Sequence, residues 1–192
     1  RVTEGSTNTI DGLVGYPPPA KSGESGQVTG LVSLSFRNLF GTARRLDARW
    51  ERASSSVTEW ELRYLEPWLL GWPINAQGGF HQRQQDSTYV RRSVDVRLTV
   101  LWNENLNFTA SFTAVSSIPT ARLSGFAFDR SQSLGGGLEM LIDTRDNPYQ
   151  PRAGITLRNA YHYASKTITP VSGGEERTAS LQRFEADLAL FQ

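Results

Sequence analysis

The chain of 192 residues has no cysteine, a single methionine and two histidines. No disulfide or thiolate metal site is available to it, and His81 and His162 are too far apart in sequence for a metal-ligand spacing. No apolar run approaches the roughly 18 residues of a transmembrane helix, and no basic stretch followed by an apolar one opens the sequence as an export signal would. Charge of one sign is lacking too. Lys+Arg number 20 against 19 Asp+Glu, leaving +1, which excludes the basic stripe of a nucleic-acid partner. Enzyme signatures are equally scarce: no Lys-Ser/Thr follows Gly135–Gly137, and there is no Gly-x-Ser-x-Gly elbow. No catalytic residue, cofactor or metal is expected.

What the chain does have is alternation. In GLVSLSFRN, Val32, Leu34 and Phe36 alternate with Ser33, Ser35 and Arg37. The same period of two runs through RRLDARWER, TEWELRYLE and RSVDVRLTVLW, and then through the segments around Phe108, Met140, Leu157 and Leu188. Two segments read less cleanly, NTIDGLVGY (8–16) and the Gln-rich NAQGGFHQRQQD (75–86). This predicts about ten strands and an all-β fold.

Two architectures suit such strands. A soluble sandwich uses strands of about five or six residues and shows its polar face to water. The alternating segments are nearer nine to eleven residues, the length that crosses a bilayer at a tilt. Their polar phase mixes Arg, Asp and Glu, as a solvated lumen does. Trp60, Trp102 and Tyr16 stand near the ends of apolar phases, as an interfacial girdle would. A transmembrane antiparallel up-and-down β-barrel therefore accounts for both the alternation and the mean hydropathy of −0.41. Numbered in order, the connections after odd strands vary in length and are rich in Ser, Pro and Gly. Those after even strands (NLFGTA, LEPWLLGWP, WNEN and DTRDNPYQPRAG) are compact and are expected at the periplasmic rim.

Three of these stretches, RNLFGTARRLDARWER, ELRYLEPWLLGWP and IDTRDNPYQPRAG, resemble the barrel of the BamA/TamA superfamily, the bacterial surface-antigen outer-membrane proteins. The matching turns are Asn38–Gly41, then Tyr64 with Glu66 and Pro67, then Asp143–Gly154. The resemblance implies a sixteen-stranded barrel behind periplasmic POTRA domains, which inserts or translocates other proteins at the outer membrane. It implies as partners the lipid bilayer, unfolded outer-membrane or secreted substrates, POTRA domains, chaperones and accessory lipoproteins. On this expectation residues 1–7 are a linker and 8–192 a partial barrel. The family's Arg-Gly-aromatic loop motif is absent; SGFAFDR lacks the arginine before its glycine. A complete ten-stranded barrel is less consistent with DLALFQ, where Phe191 is out of phase with Leu188 and Leu190. A passive pore or receptor is the alternative function on the same architecture, and a barrel protease or lipase the rival enzyme reading.

The candidate residues fall into three groups. Gly12 and Gly15 weaken the first strand at the seam, either as a lateral gate or to relieve crowding. Asn38, Gly41, Glu66, Pro67, Trp68, Asp143, Arg145, Asp146, Pro151 and Gly154 build the periplasmic turns. They serve strand register or contact a POTRA domain or lipoprotein. Pro148 and Pro151 remove donors and fix φ, Gly154 permits close approach, and the charges of 143–146 pair or cap free N–H groups. Trp68 and Trp72 anchor the rim or dock a periplasmic module. The lumen charges are Arg45, Asp47, Arg49, Glu59, Glu61, Arg63, Asp95, Arg97, Glu139, Arg183, Glu185 and Asp187. They form a rigidifying network or receive the missing loop arginine.

Overall fold

A computed structural model describes residues 8–18, 26–54, 56–85, 88–119, 129–170 and 173–192. The expected linker 1–7 and residues 124–128 of the SGFAFDR stretch lie outside the described residues. Ten strands follow one another: β1 (Asn8–Gly15), β2 (Thr29–Leu39), β3 (Arg44–Arg52), β4 (Val57–Glu66), β5 (Ile74–Gln85), β6 (Tyr89–Leu101), β7 (Leu106–Pro119), β8 (Arg130–Asp143), β9 (Gly154–Thr169) and β10 (Arg177–Phe191). They form a single sheet in which each strand pairs antiparallel with its neighbour in the chain. The up-and-down order and the strand count are those expected from the alternation.

The Gln-rich stretch is a full strand. In β5 the apolar phase holds Ile74, Ala76 and Phe80 but continues into Gln82 and Gln84, which blurs the alternation. Length is where the expectation falls short. β1 to β4 run 8 to 11 residues, whereas β5 to β10 run 12 to 16. The added residues cluster at the ends nearest the odd-numbered connections, in RSQS, SKTIT and RTASLQ. In RSQS polar alternates with polar and leaves no hydropathy contrast to read, and in SKTIT and RTASLQ the apolar residues Ile168, Ala179 and Leu181 stand in the phase opposite to the belt.

Among the described residues the sheet has no second layer, and only Ala160, at 1% exposure, is buried. One face carries Leu62, Phe80, Val94, Phe112, Leu138, Tyr161 and Phe184, all substantially exposed. Soluble monomers rarely expose a contiguous apolar area beyond a few hundred Å², so this face requires an apolar environment rather than water. A sandwich reading has no partner sheet to bury it.

The apolar belt is slanted across the strands. Successive register partners lead from Leu62 through Phe80, Val94, Ala114, Leu134 and Ser165 to Ser180. Yet in β10 the apolar phase runs from Phe184 to Leu190, beyond Ser180 toward the even-numbered turns. The belt thus slides by about eight residues over six strand steps. With ~3.3 Å per residue and ~4.8 Å between strands, that is a slope of about 40°. Strands in closed barrels tilt by a typical 35–45°, so a belt level with a membrane plane emerges from the register itself.

Phe112 and Thr113 are sequential but face opposite sides. Phe112→Arg is expected to cost about 2–4 kcal/mol of folding stability in a bilayer, and Thr113→Arg about 1 kcal/mol or less. Equilibrium denaturant unfolding in lipid vesicles measures both, and equal losses would contradict a lipid-facing belt.

Candidate functional site

All twelve candidate lumen charges lie on the face opposite the belt, because register partners share a face and every one of them is in the polar phase. They gather into two clusters rather than one continuous network. On β3 to β5, Arg49 Nη2 donates to Glu51 at 2.7 Å, Arg63 pairs with Glu61, and Arg83 spans to Glu59 at 3.1 Å. His81 Nε2 stands 3.9 Å from the same Glu59. The Ser35 hydroxyl donates to Asp47 at 2.6 Å. The Asp95 carboxylate lies over Gly79, its register partner, in the space a Cβ would fill. Among the described residues no salt bridge joins Arg45, Asp95 or Arg97 to this network.

The second cluster centres on Arg158 of β9. Its Nε and Nη2 donate to Glu139 Oε2 of β8 at 3.0 and 2.7 Å, and its Nη1 donates to Glu185 of β10 at 2.8 Å and Asp187 at 3.3 Å. Arg183 pairs with Glu185 from the same strand. One guanidinium therefore ties three strands, using the fan of donors that lysine lacks. Solvent screening keeps each of these partly exposed pairs to about 1 kcal/mol or less. Arg158 escapes a search for candidate charges by motif, although its phase opposite Leu157 was readable.

The even-numbered connections are strained and specific. Asn38, Phe40, Ala43, Trp68 and Leu70 are the non-glycine residues of positive φ among those described, and all lie in the first two of these turns. Each such conformation costs on the order of 1 kcal/mol or more and persists only where surrounding contacts hold it. In the first turn the Asn38 side-chain oxygen accepts from Ala43 N at 2.8 Å, while Gly41 N donates to Asn38 O at 3.1 Å. In the second, Asn75 Oδ1 accepts from Trp68 N at 3.3 Å. Pro67 sits between β4 and the short 3-10 turn Leu69–Gly71. Phe40 and Leu70 are 87% and 89% exposed, and Trp68 and Trp72 are exposed as well.

Arg44 and Glu66 lock these two turns together on the apolar side. Arg44 Nε lies 2.7 and 2.9 Å from the Glu66 oxygens, and the Tyr64 hydroxyl donates to Glu66 at 2.6 Å. Glu66 is the last residue of β4 rather than part of the loop proper. An arginine in the phase of Leu46 and Trp50 was the sequence signal for this pair.

The fourth even connection joins β8 to β9 through both of the devices open to its charges. Arg145 pairs with Asp143, through Nη2 at 2.6 Å and Nε at 2.8 Å, and its Nη1 reaches Pro148 O at 3.1 Å. Its guanidinium lies 6.0 Å from the centroid of Phe191, a cation–π contact to the end of β10. The out-of-phase Phe191 is explained: it is on the polar face, opposite Gly154. Asp146 instead caps the loop, accepting from Asn147 N, Arg152 N and Ala153 N at 2.9, 2.9 and 3.2 Å. The amides of Arg152 and Ala153 are the main reason its carboxyl is held below its usual range. Gly154 has φ 121°, and a Cβ there would meet Thr144 O at 2.5 Å, so no other residue fits. Pro151 falls within this capped loop.

The profile of the Omp85 superfamily domain matches residues 38–186. No curated protein matches the chain. A crystal structure of BamA from Haemophilus ducreyi lacking POTRA domains 1–3 is similar at 16% identity with a TM-score of 0.49. That likeness covers 86% of this chain, which spans 37% of the other.

The lowered pKa of Asp146 fixes the sign of a pH effect. Its stabilisation is complete above the ordinary carboxylate range near ~3.9 and is lost as pH falls through the lowered value. Hydrogen-exchange protection of the 146–153 amides, corrected for intrinsic rates, is expected to be flat down to about pH 4 and then to collapse. In Asp146→Asn it is expected to be weaker and to vary little with pH over that window. An unaltered acid transition in the variant would assign it to another group.

Proposed function

The chain belongs to the Omp85 superfamily, and we propose that it forms the first part of an outer-membrane barrel that inserts or secretes other proteins. The observation that carries this reading is the family match over residues 38–186, which takes in Arg158 with Glu139 and Glu185 and all four even-numbered turns. At the coarse level, that superfamily comprises non-enzymatic assembly and translocation barrels. Residues 8–192 are then the opening strands of a barrel of about sixteen, placed in a bacterial or organellar outer membrane. The charged face lines the lumen, the even-numbered turns face the periplasm, and POTRA domains, chaperones and accessory lipoproteins approach from that side.

The proposed mechanism uses strand pairing and no nucleotide. β1 is the seam strand, and an incoming strand adds to its free edge by backbone hydrogen bonding before burying its apolar face in lipid. The two seam glycines lie on opposite faces of β1 and behave differently. A Cβ at Gly12 would meet nothing closer than Leu31 O at 3.7 Å, so packing does not demand glycine there. A Cβ at Gly15 would come within 2.9 Å of the Thr29 side-chain oxygen, which supports relief of crowding as the role of that one. Gly12 is thus the residue whose retention suits a weak, openable strand.

Gly12→Val is expected to leave the barrel folded while strengthening β1 by about 1 kcal/mol, which corresponds to about fivefold in an opening equilibrium. Assembly of a substrate barrel by the full-length protein in proteoliposomes should slow accordingly. A disulfide joining β1 to the strand across the seam should stop it. Undiminished assembly in both variants would sink the gate and leave the passive pore as the better reading.

A further inference from the structure

Toward the odd-numbered connections the lipid-side belt is interrupted by a polar row that crosses four strands, with Val90 and Ile118 on the same face beyond it in β6 and β7. Arg92 of β6, Ser116 of β7, Gln132 of β8 and Thr167 of β9 are successive register partners. The next row into the belt is Val94, Ala114, Leu134 and Ser165. Between these rows lies an open groove of about 470 Å³. Ala114 and Ser116 of β7 are small residues set between Arg92 and Val94 of β6 and Gln132 and Leu134 of β8.

The charge of the groove is one-sided. No lining residue is acidic, and Arg92 is its cation; the carboxylate of Glu176 lies one row outside it, accepting from Thr169, the register partner of Arg130. The Arg92 Nε donates to Gln82 Oε1 at 2.8 Å, which orients the guanidinium without neutralising it. Arg130 stands one step beyond Gln132 in β8, on the same face. It is two strands from Arg92, roughly 10 Å across the sheet. A cationic pair, a row of hydroxyl and amide donors and an apolar trough thus follow one another in the order of an amphiphile's own parts.

We propose that this groove seats a phospholipid, with the acyl chain along Val94, Ala114 and Leu134 and the phosphate between Arg92 and Arg130. Ser116, Gln132 and Thr167 supply neutral donors to the ester oxygens, and the arginines supply charge-assisted ones. On each strand the polar row stands two residues beyond the apolar trough, and it slopes across the membrane with the register, so that Arg92 and Thr167 lie at different depths. This inference goes beyond the assembly function but rests on the bilayer placement proposed with it.

The full-length protein, carried into phosphatidylcholine nanodiscs doped with phosphatidylglycerol, tests it by native mass spectrometry of the retained lipids. Phosphatidylglycerol is expected to be enriched about tenfold over its bulk share. Arg92→Gln with Arg130→Gln is expected to abolish the enrichment. Arg91→Gln, which removes one positive charge from the opposite face, should preserve it. Ala114→Trp should displace both lipids. No enrichment in the native chain, or an equal loss in Arg91→Gln, would overturn the site. So would displacement of the lipid by soluble glycerol phosphate, which would mark a site for free phosphate esters. Failure of the native chain to enter the nanodisc would overturn the bilayer placement and this site with it, and is read separately as an empty disc.

Discussion

Backbone hydrogen bonding is the constraint on which this structure depends. A chain placed in lipid has no water to satisfy its N–H and C=O groups, and an unpaired one costs several kcal/mol. Ten strands each paired to the neighbour in sequence meet that demand with no crossover, except along the outer edges of β1 and β10. A sheet stabilised by its ladders needs no interior, which is why only Ala160 is buried among the described residues. The side chains are then free to serve two solvents, one on each face.

The two faces use that freedom differently. On the apolar side the side chains need only be apolar at the right depth, so Gly, Ala, Phe and Tyr mix within one row and leave grooves between strands. On the charged side the groups are long, mutually paired and partly solvated. Arg158 illustrates the consequence: it crosslinks β8, β9 and β10 through carboxylates that lie up to 29 residues away in sequence. Such pairs add little stability individually, but together they hold long strands at a fixed spacing.

The even-numbered connections concentrate the backbone strain. Five non-glycine residues at positive φ sit in two adjacent turns, held by Asn38, Asn75 and the Arg44–Glu66 pair. The turn after β8 is instead stabilised by capping and by the reach of Arg145 to Phe191. These are rigid structures set at one rim, with Phe40, Leu70 and Tyr149 presented outward. A rim so defined suits a surface on which other protein modules rest.

Much of this was legible in the sequence. Period two named the strands and assigned the twelve candidate charges to their face, because that assignment needs only the parity of a residue within its segment. Proline, glycine and asparagine marked the turns, and three of those turns carried the family resemblance. Parity, however, leaves the register open by any multiple of two residues, and the bulge between Arg37 and Leu39 shifts even that. Hence the sequence could not say that Arg158 meets Glu139 and Glu185, that Arg44 meets Glu66, or that Phe191 lies beneath Arg145. Strand length was hidden where polar alternated with polar or the apolar residues stood in the opposite phase. The slant of the belt, and the groove beside its polar row, are likewise sums of register offsets over many strands. Composition determined what each face would be made of, and only the paired sheet decided which residues would stand side by side.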